Sequence, residues 1–347
     1  MESAAVKSEG LVIPLIDFSR FLHGSPQQRQ ETADAILQGF QTAGFIYLKG
    51  LPIGPEARQR AFAASAAYFR QPAAAKLAQG WTTPEANRGY SAPGREKTTS
   101  LTDAEAVARL RAAAPDLKES VEIGREGDPD HPNIWPPEDG EGELREIGFK
   151  STMLDFHDRC KQLHVEVMRA IAVGLGIDEQ WFDAYTDEGD NTLRLLHYPE
   201  VPKDVFQANP GQVRAGAHSD FGSITLLFQD SRQGSPGGLL LGGLQVQSPT
   251  GVFVDATPIE DTCVVNAGDL LARWSNDRIK STIHRVVEPP AGDGPVHPAR
   301  YSIAYFCNPN FKSYIKAIPG TYETEKDLKY QGINSGEYLV QRLATTY

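Results

Sequence analysis

Several features of secreted, membrane-bound and nucleic-acid-binding proteins are missing from this 347-residue chain. Its three cysteines, Cys160, Cys263 and Cys307, are few and lie in apolar segments, which indicates reduced, buried thiols and no disulfide scaffold. No apolar run approaches the length of a membrane span, and the N-terminus has no basic region followed by an apolar one. No basic block offsets the net charge of -11, which argues against a nucleic-acid partner. We therefore expect a cytoplasmic protein with a small-molecule ligand, whose oligomeric state the sequence does not decide.

The composition that remains is that of an ordinary globular protein, 40% hydrophobic and 23% charged, with ample residues for a large core. We predict a single domain over residues 1–347. It would have a mainly helical region with the first strands at 1–190, a core with the functional site at 191–310, and a helical segment at 311–347. The strongest helix is predicted at 149–177, where apolar residues recur every three or four positions.

Short β-rich runs dominate the chain after residue 192. Gly, Pro and Asn turns separate eight predicted strands, at 193–198, 213–218, 223–228, 244–247, 251–256, 262–266, 281–288 and 300–306. This pattern favours a mainly β fold with flanking helices (α+β), built on a double-stranded β-helix, or jelly roll, with the N-terminal and central helices packed outside. Residues 1–10 are predicted to fray, and residues 325–344 to form a last helix that covers the cavity or pairs subunits.

A possible metal site lies within these strands. His218 and Asp220 are two positions apart, so an extended strand directs both side chains to one face. With His284 from a later strand they make two histidines and one carboxylate, the ligand set of non-haem Fe(II) oxygenases. Zn²⁺ accepts the same ligands, and a His-x-Asp pair alone is common by chance. The three residues by themselves therefore do not name the metal.

Arg300 and Ser302 favour iron, because they suggest a second ligand. Arg300 follows His284 by about the length of a strand, a turn and a strand, so it can return to the same cavity. Its guanidinium can bind a carboxylate through two hydrogen bonds, and Ser302 on the same face adds a hydroxyl. An acid that chelates the metal at one end and is held by arginine at the other fits this site. 2-Oxoglutarate is such an acid.

At these residues the chain resembles the 2-oxoglutarate/Fe(II) dioxygenases of the isopenicillin N synthase-like group. The segments that carry the resemblance to the whole group are 13–18, 39–46 and 195–199. Those that are similar to its fungal thymine-oxidising members are 81–90, 268–276 and 305–310. The resemblance implies Fe(II) as the metal, 2-oxoglutarate and O2 as cosubstrates, and ascorbate as reductant. It also implies that a hydroxyl from Tyr198 joins Arg300 and Ser302 at the far carboxylate of 2-oxoglutarate.

For the substrate, the resemblance implies hydroxylation of the methyl group of free thymine, with release of succinate and CO2. The product would be 5-hydroxymethyluracil, with possible further oxidation to 5-formyluracil and uracil-5-carboxylate. Arg194 and Asn191 would hydrogen-bond the pyrimidine, and Phe306 and Phe221 would pack against its ring, which agrees with what a flat polar ring requires. Phe221 replaces an expected tyrosine and so removes a polar group. Two structural roles stay open, Phe221 as barrel core and Arg194 in an internal ion pair.

Three stretches keep more than one interpretation. Residues 81–95 either line the cavity or form a surface connection. Residues 115–143 are predicted to be loop-rich, a candidate lid for the cavity, and Glu119 and Glu122 within them either form salt bridges or face substrate. The Gly-rich residues 231–243 are predicted to form a mobile loop, longer than the usual connection of the family. This loop and Phe221 favour an alternative, the same chemistry on another small molecule such as a fungal secondary metabolite. A non-catalytic jelly-roll binding module is the distant alternative, against which the complete set of site residues argues.

Overall fold

Two β-sheets form the core of the protein in a computed structural model that describes residues 3–97, 99, 105–106, 109–110, 114–137, 142–209, 211–230, 242–289 and 294–346. The strands are β1 (Ser3–Ser8), β2 (Leu11–Asp17), β3 (Phe45–Lys49), β4 (Gly89–Ser91), β5 (Glu119–Ile123), β6 (Thr192–Tyr198), β7 (Val201–Pro202), β8 (Ala215–His218), β9 (Ile224–Gln229), β10 (Leu244–Gln247), β11 (Phe253–Asp255), β12 (Cys263–Ala267), β13 (His284–Val286), β14 (Val296–His297), β15 (Arg300–Cys307), β16 (Tyr314–Ile315) and β17 (Ile333–Asn334).

The helices lie mostly in the N-terminal half. They are α1 (Ser19–His23), α2 (Pro26–Thr42), α3 (Pro55–Phe69), α4 (Ala73–Leu77), α5 (Glu143–Glu146), α6 (Phe149–Leu175), α7 (Asp183–Thr186), α8 (Lys203–Ala208), α9 (Asp269–Trp274) and α10 (Ser335–Thr346), with a 3₁₀ turn at Glu325–Asp327. Within the described ranges, no helix combines the length and the apolar character needed to cross a bilayer.

The larger sheet has nine strands in the order β1-β2-β3-β12-β9-β15-β6-β5-β4, and the smaller has four in the order β11-β10-β13-β8. Neighbouring strands are antiparallel except β2 and β3, which run parallel. This is the predicted jelly roll with helices packed outside it, and the fold prediction is confirmed. That residues 1–347 form one domain stays a prediction.

Strand alternation decides which side chains reach the space between the sheets. On β15, Ile303 and Tyr305 pack into the cluster formed with the helices, while Ser302 and Ala304 line a cavity on the opposite face. Successive side chains of a strand point to opposite faces, so one apolar strand serves both a helix-covered core and a ligand site. The same alternation applies to β6 and β9.

Helix α6 matches the prediction for 149–177 closely. Its buried residues include Met153, Phe156, Cys160 and Leu163, which recur every three or four positions. The helix ends at Gly176, whose φ of 71° is left-handed and therefore suits glycine. This apolar stripe packs against the outer face of the nine-stranded sheet.

Two expectations for the connecting segments were wrong. Residues 3–10 do not fray, because β1 pairs with β2 as the edge of the large sheet. The last helix starts only at Ser335, and the residues before it include the 3₁₀ turn and β17. The loop-rich segment 115–143 also contains a short strand, β5, which lies between β4 and β6. Residues 231–241 of the predicted Gly-rich loop lie outside the described residues.

Candidate active site

His218, Asp220 and His284 converge at one point between the two sheets. His218 ends β8 and His284 begins β13, and the two residues pair directly across these antiparallel strands. Their Nε2 atoms lie 3.7 Å and 3.8 Å from Asp220 Oδ1. The ligand atoms of all three lie within 4.8 Å of one another. Two imidazole nitrogens and one carboxylate oxygen at this spacing fit a single divalent ion with open positions on its cavity side.

Backbone carbonyls orient both imidazoles. Nδ1 of His218 lies 2.8 Å from the carbonyl of Gly216, and Nδ1 of His284 lies 3.2 Å from that of Thr282. These contacts assign the proton to Nδ1 and leave Nε2 for a metal. Burial, together with repulsion from His284, lowers the pKa of His218 to about 3. The ring is therefore neutral at physiological pH, which is the form that binds metal.

Two buried side chains hold the second oxygen of Asp220. Thr225 Oγ1 donates to Oδ2 at 2.6 Å, and Asn266 Nδ2 donates to the same atom at 2.7 Å. Burial alone would raise the pKa of Asp220, but His284, His218 and these two hydrogen bonds hold it below its ordinary value. Oδ2 is thus occupied and Oδ1 faces the imidazoles. Thr225 and Asn266 were not predicted from the sequence, although each is a polar residue inside an apolar strand and so gave an available signal.

The predicted carboxylate anchor lies on one wall of the same space. Arg300 Nη2 donates to Ser302 Oγ at 3.2 Å, Nη1 donates to the carbonyl of Gly242, and the guanidinium carbon lies 4.7 Å from the centre of the Tyr198 ring. Burial lowers the pKa of Arg300 from its ordinary value, but an arginine stays charged. Arg214, which is also buried, faces the same ring at 5.9 Å. A buried cationic wall of this kind suits an anionic ligand.

The metal triad and the anchor share a cavity of about 380 Å³. Its walls come from both sheets, from the segment after Trp81, from the residues around β5 and from helix α10. The lining residues from the last three sources include Asn87, Arg88, Lys118, His131, Leu339, Val340 and Leu343. Parts of 81–95 therefore line the cavity, the first of the two interpretations left open for that stretch, and parts of 115–143 line it as well.

Known proteins are similar to this chain along nearly its whole length. Residues 13–138 match the family model for the N-terminal part of the non-haem dioxygenase in morphine synthesis, and residues 189–309 match the 2OG-Fe(II) oxygenase superfamily. The 2-oxoglutarate-Fe(II) type oxidoreductase ppzD of Metarhizium rileyi is 34% identical over 343 residues, which cover 96% of this chain and 90% of the relative. The chain belongs to the 2-oxoglutarate–Fe(II) oxygenase superfamily.

This oxygenase is also similar to solved structures of the thymine 7-hydroxylase of Neurospora crassa. The complex of that enzyme with alpha-ketoglutarate (2-oxoglutarate) and thymine is 67% identical, with a TM-score of 0.90, and the match covers 99% of this chain and 100% of that chain. The complex with alpha-ketoglutarate and 5-formyluracil is 64% identical, with a TM-score of 0.88 and complete coverage of both chains. The predicted family and its enzymatic class are confirmed, and the oxygenase uses Fe(II) and 2-oxoglutarate.

Three of the four residues predicted to contact substrate line the oxygenase cavity, namely Arg194, Phe221 and Phe306. The guanidinium carbon of Arg194 lies 5.3 Å from the centre of the Phe306 ring. Arg194 is at the same time an ion-pair residue, with Nε 2.7 Å from Glu122 Oε1. The internal ion pair considered for Arg194 is therefore present in a side chain that also lines the cavity, and its hydrogen bond to the pyrimidine stays a prediction.

Asn191, the fourth predicted substrate residue, is not brought to the cavity. Its Nδ2 donates to Tyr305 Oη at 3.0 Å, and its Oδ1 accepts from the backbone nitrogen of Asn308 at 2.8 Å. Asn191 precedes β6 with the same alternation as Leu193, which packs against the helices, whereas Thr192 lines the cavity. In place of the predicted contact with substrate, Asn191 holds the backbone of Asn308, which is itself a cavity residue.

Two further charged residues, Glu96 and Lys118, line the cavity and were not predicted from the sequence. Lys118 Nζ donates to Glu96 Oε2, and Arg194 Nη1 lies 3.4 Å from the same oxygen. The cavity thus has a polar wall on which a carboxylate lies between two cations. Glu119 and Glu122 do not line it within the described residues and form salt bridges behind it, Glu119 with Lys76 and Glu122 with Arg194.

Proposed function

We propose that this oxygenase hydroxylates the methyl group of free thymine to 5-hydroxymethyluracil, and oxidises it further to 5-formyluracil and uracil-5-carboxylate. The observation that carries the proposal is the wall formed by Arg194 and Phe306, which shares one cavity with the metal triad. An aromatic face beside a guanidinium suits a flat ring with carbonyl groups. The similarity to a thymine hydroxylase in complex with thymine supports the same assignment.

The polar wall is complementary to one edge of the pyrimidine. Thymine presents an N–H between two carbonyl oxygens, and the cavity presents Glu96, an acceptor, between the donors Lys118 and Arg194. A site built to hydrogen-bond particular groups of a substrate rejects analogues that lack those groups. Phe306 and Phe221 would pack against the faces of the ring.

Fe(II) bound by the triad, together with 2-oxoglutarate, supplies the oxidation: O2 gives one oxygen atom to the methyl carbon and one to succinate, and CO2 is released. The protein's own residues position the reactants. Arg300, Ser302 and Tyr198 would hold the far carboxylate of 2-oxoglutarate, and the backbone carbonyls that accept from Nδ1 would keep Nε2 of both triad histidines directed at the metal. Ascorbate would keep the iron reduced between turnovers.

The free base is the proposed substrate, and DNA is not. The net charge of -11 disfavours the approach of a polyanion. The cavity of about 380 Å³ has room for 2-oxoglutarate and a single small ring. Thymine in an oligonucleotide should therefore not stimulate the enzyme.

Succinate formation from 2-oxoglutarate, with Fe(II), ascorbate and O2, tests the proposal when it is measured with and without thymine. We expect thymine to stimulate succinate formation and to become one oxygen heavier by mass analysis. Arg194→Gln should raise the KM for thymine while the KM for 2-oxoglutarate stays nearly unchanged. The matched control is Arg159→Gln, which removes an exposed arginine from a surface ion pair with Asp155. If the rate of succinate formation is the same with and without thymine, the assignment of thymine as substrate is wrong, and another small molecule is favoured.

A further inference from the structure

One carboxylate outside the metal triad contacts both segments that carry the triad. Asp269 is the first residue of α9, and its Oδ1 accepts from Ser281 Oγ at 2.6 Å while its Oδ2 accepts from Ser219 Oγ at 3.1 Å. Ser219 lies between the first two triad residues, and Ser281 lies three residues before the third. The backbone nitrogen of Asp269 also donates to the carbonyl of Asp220 at 2.8 Å. Asp269 therefore fixes the two ligand segments relative to each other.

The same carboxylate holds the C-terminal helix. Tyr338 Oη donates to Asp269 Oδ2 at 3.3 Å, and Arg342 Nη1 lies 3.1 Å from that oxygen. Both residues are on α10, about one helical turn apart. Burial, with the nearby negative charge of Asp269, raises the pKa of Tyr338 to about 12, so its hydroxyl remains a donor. We call this arrangement of Asp269, Tyr338 and Arg342, with Ser219 and Ser281, the Asp269 junction.

The other face of α10 forms part of the substrate cavity. Leu339, Val340 and Leu343 line it, and they share the helix with the two residues that reach Asp269. Arg342 also lies over the ring of Phe221, with its guanidinium carbon 4.4 Å from the ring centre. Phe221 directly follows Asp220 of the metal triad in the chain, and its side chain lines the cavity. The ion pair between Arg342 and Asp269 thus connects the cavity wall formed by α10 to the segments that carry the metal ligands.

We propose that Asp269 is a positioning residue that couples the seating of α10 to the alignment of the metal ligands, so that oxidation is productive only when this wall of the cavity is complete. The proposal rests on the proposed function only in naming thymine as the substrate. Arg342, through Asp269 and Phe221, is the contact by which α10 controls the pocket. If α10 separates from the junction, the apolar wall at Leu339 and Val340 is lost and water can enter beside the metal.

Two measurements on Asp269→Asn, Arg342→Gln and Arg342→Lys test the coupling, with Arg159→Gln as control. The first is amide hydrogen exchange of the metal-free protein, which reports local opening without any turnover. We expect faster exchange over residues 335–343 in Arg342→Gln, and over 219–223 and 281–284 as well in Asp269→Asn. The second is the ratio of succinate formed to thymine oxidised. This ratio should rise in Asp269→Asn and in Arg342→Gln. In these two variants the KM for thymine should rise about fivefold, with the KM for 2-oxoglutarate little changed.

Arg342→Lys keeps the positive charge. It should therefore retain much of the hydrogen-exchange protection over 335–343, and give a lower ratio of succinate formed to thymine oxidised than Arg342→Gln. Unchanged exchange over 335–343 in Arg342→Gln, or a wild-type ratio of succinate to product in Asp269→Asn, would overturn the proposal. If the wild-type enzyme ignores thymine, the proposed substrate fails, and hydrogen exchange still decides whether the Asp269 junction holds α10.

Discussion

The two hydrogen bonds to Asp220 Oδ2 predict how tightly the site binds metal. Thr225→Val keeps the shape of the side chain but removes the donor that lies 2.6 Å from the carboxylate, leaving Asn266 at 2.7 Å to orient it. A hydrogen bond to a charged group contributes about 1.5–3 kcal/mol, and loss of a residue that orients a metal ligand weakens metal affinity about 10–100-fold. We expect Thr225→Val to raise the Kd for Mn(II) at least about tenfold.

Titration of the metal-free protein with Mn(II), followed by electron paramagnetic resonance without O2, measures this Kd directly. Thr225→Ser is the matched control, because it keeps the hydroxyl and should bind Mn(II) nearly as the wild type does. The hydrogen bond from Thr225 also helps to hold the pKa of Asp220 low. Its loss raises that pKa, so the difference between Thr225→Val and wild type should widen as the pH falls. Equal Mn(II) affinities in folded wild type and Thr225→Val would refute the claim that this contact orients the ligand.

Three further predictions concern the metal, the cosubstrate and pH. His284→Ala should abolish thymine-dependent succinate formation and Mn(II) binding, with the fold checked by circular dichroism, and residual turnover would contradict its place in the triad. Arg300→Gln should raise the KM for 2-oxoglutarate roughly 100-fold, because a buried charge-assisted anchor is lost, and an unchanged KM would reject the anchor. Burial raises the pKa of Glu122 from 4.5 to about 7 despite its contact with Arg194, so the stability it contributes is present below pH 4.5 and is lost as the pH rises through 7. Glu122→Gln should therefore gain up to about 3 kcal/mol relative to wild type between pH 5 and pH 8, and parallel pH profiles in urea unfolding would show that Glu122 titrates normally.

The metal triad and the anchor could be predicted because their geometry is local. Two residues at positions i and i+2 of a strand share a face whatever the rest of the chain does. Arg300 and Ser302 both lie on β15 and needed only that rule. Asp220 lies just beyond β8, which ends at His218, so its closeness to His218 was predicted correctly although the strand does not extend to it. The position of the third ligand, His284, depends on the pairing of β13 with β8. It could still be predicted, because the chain has only eight histidines from which to choose.

The partners in the ion pairs behind the cavity could not be predicted, because they depend on the register of distant strands. β5 carries Glu119 and Glu122, charges that argue against a buried strand. In the structure Glu119 lies opposite His197 and Glu122 opposite Arg194 in the β5–β6 pairing. Glu122 therefore finds Arg194 across the sheet, whereas Glu119 contacts His197 across the sheet and Lys76 on helix α4. A single sequence does not reveal that register, and for the same reason it did not reveal the Asp269 junction.

Arg194 shows why a structural role and a substrate role need not exclude each other. A guanidinium has five N–H donors in a fixed plane, and in this protein Nε faces Glu122 while Nη1 faces Glu96 on the polar wall. The two carboxylates hold the plane beside the ring of Phe306, 5.3 Å from its centre. A long flexible side chain fixed in this way has lost its conformational entropy before a ligand arrives. Ligand binding therefore costs no further side-chain entropy at Arg194. The ion pair, which was an alternative to a substrate contact, therefore prepares Arg194 for the proposed contact with the substrate.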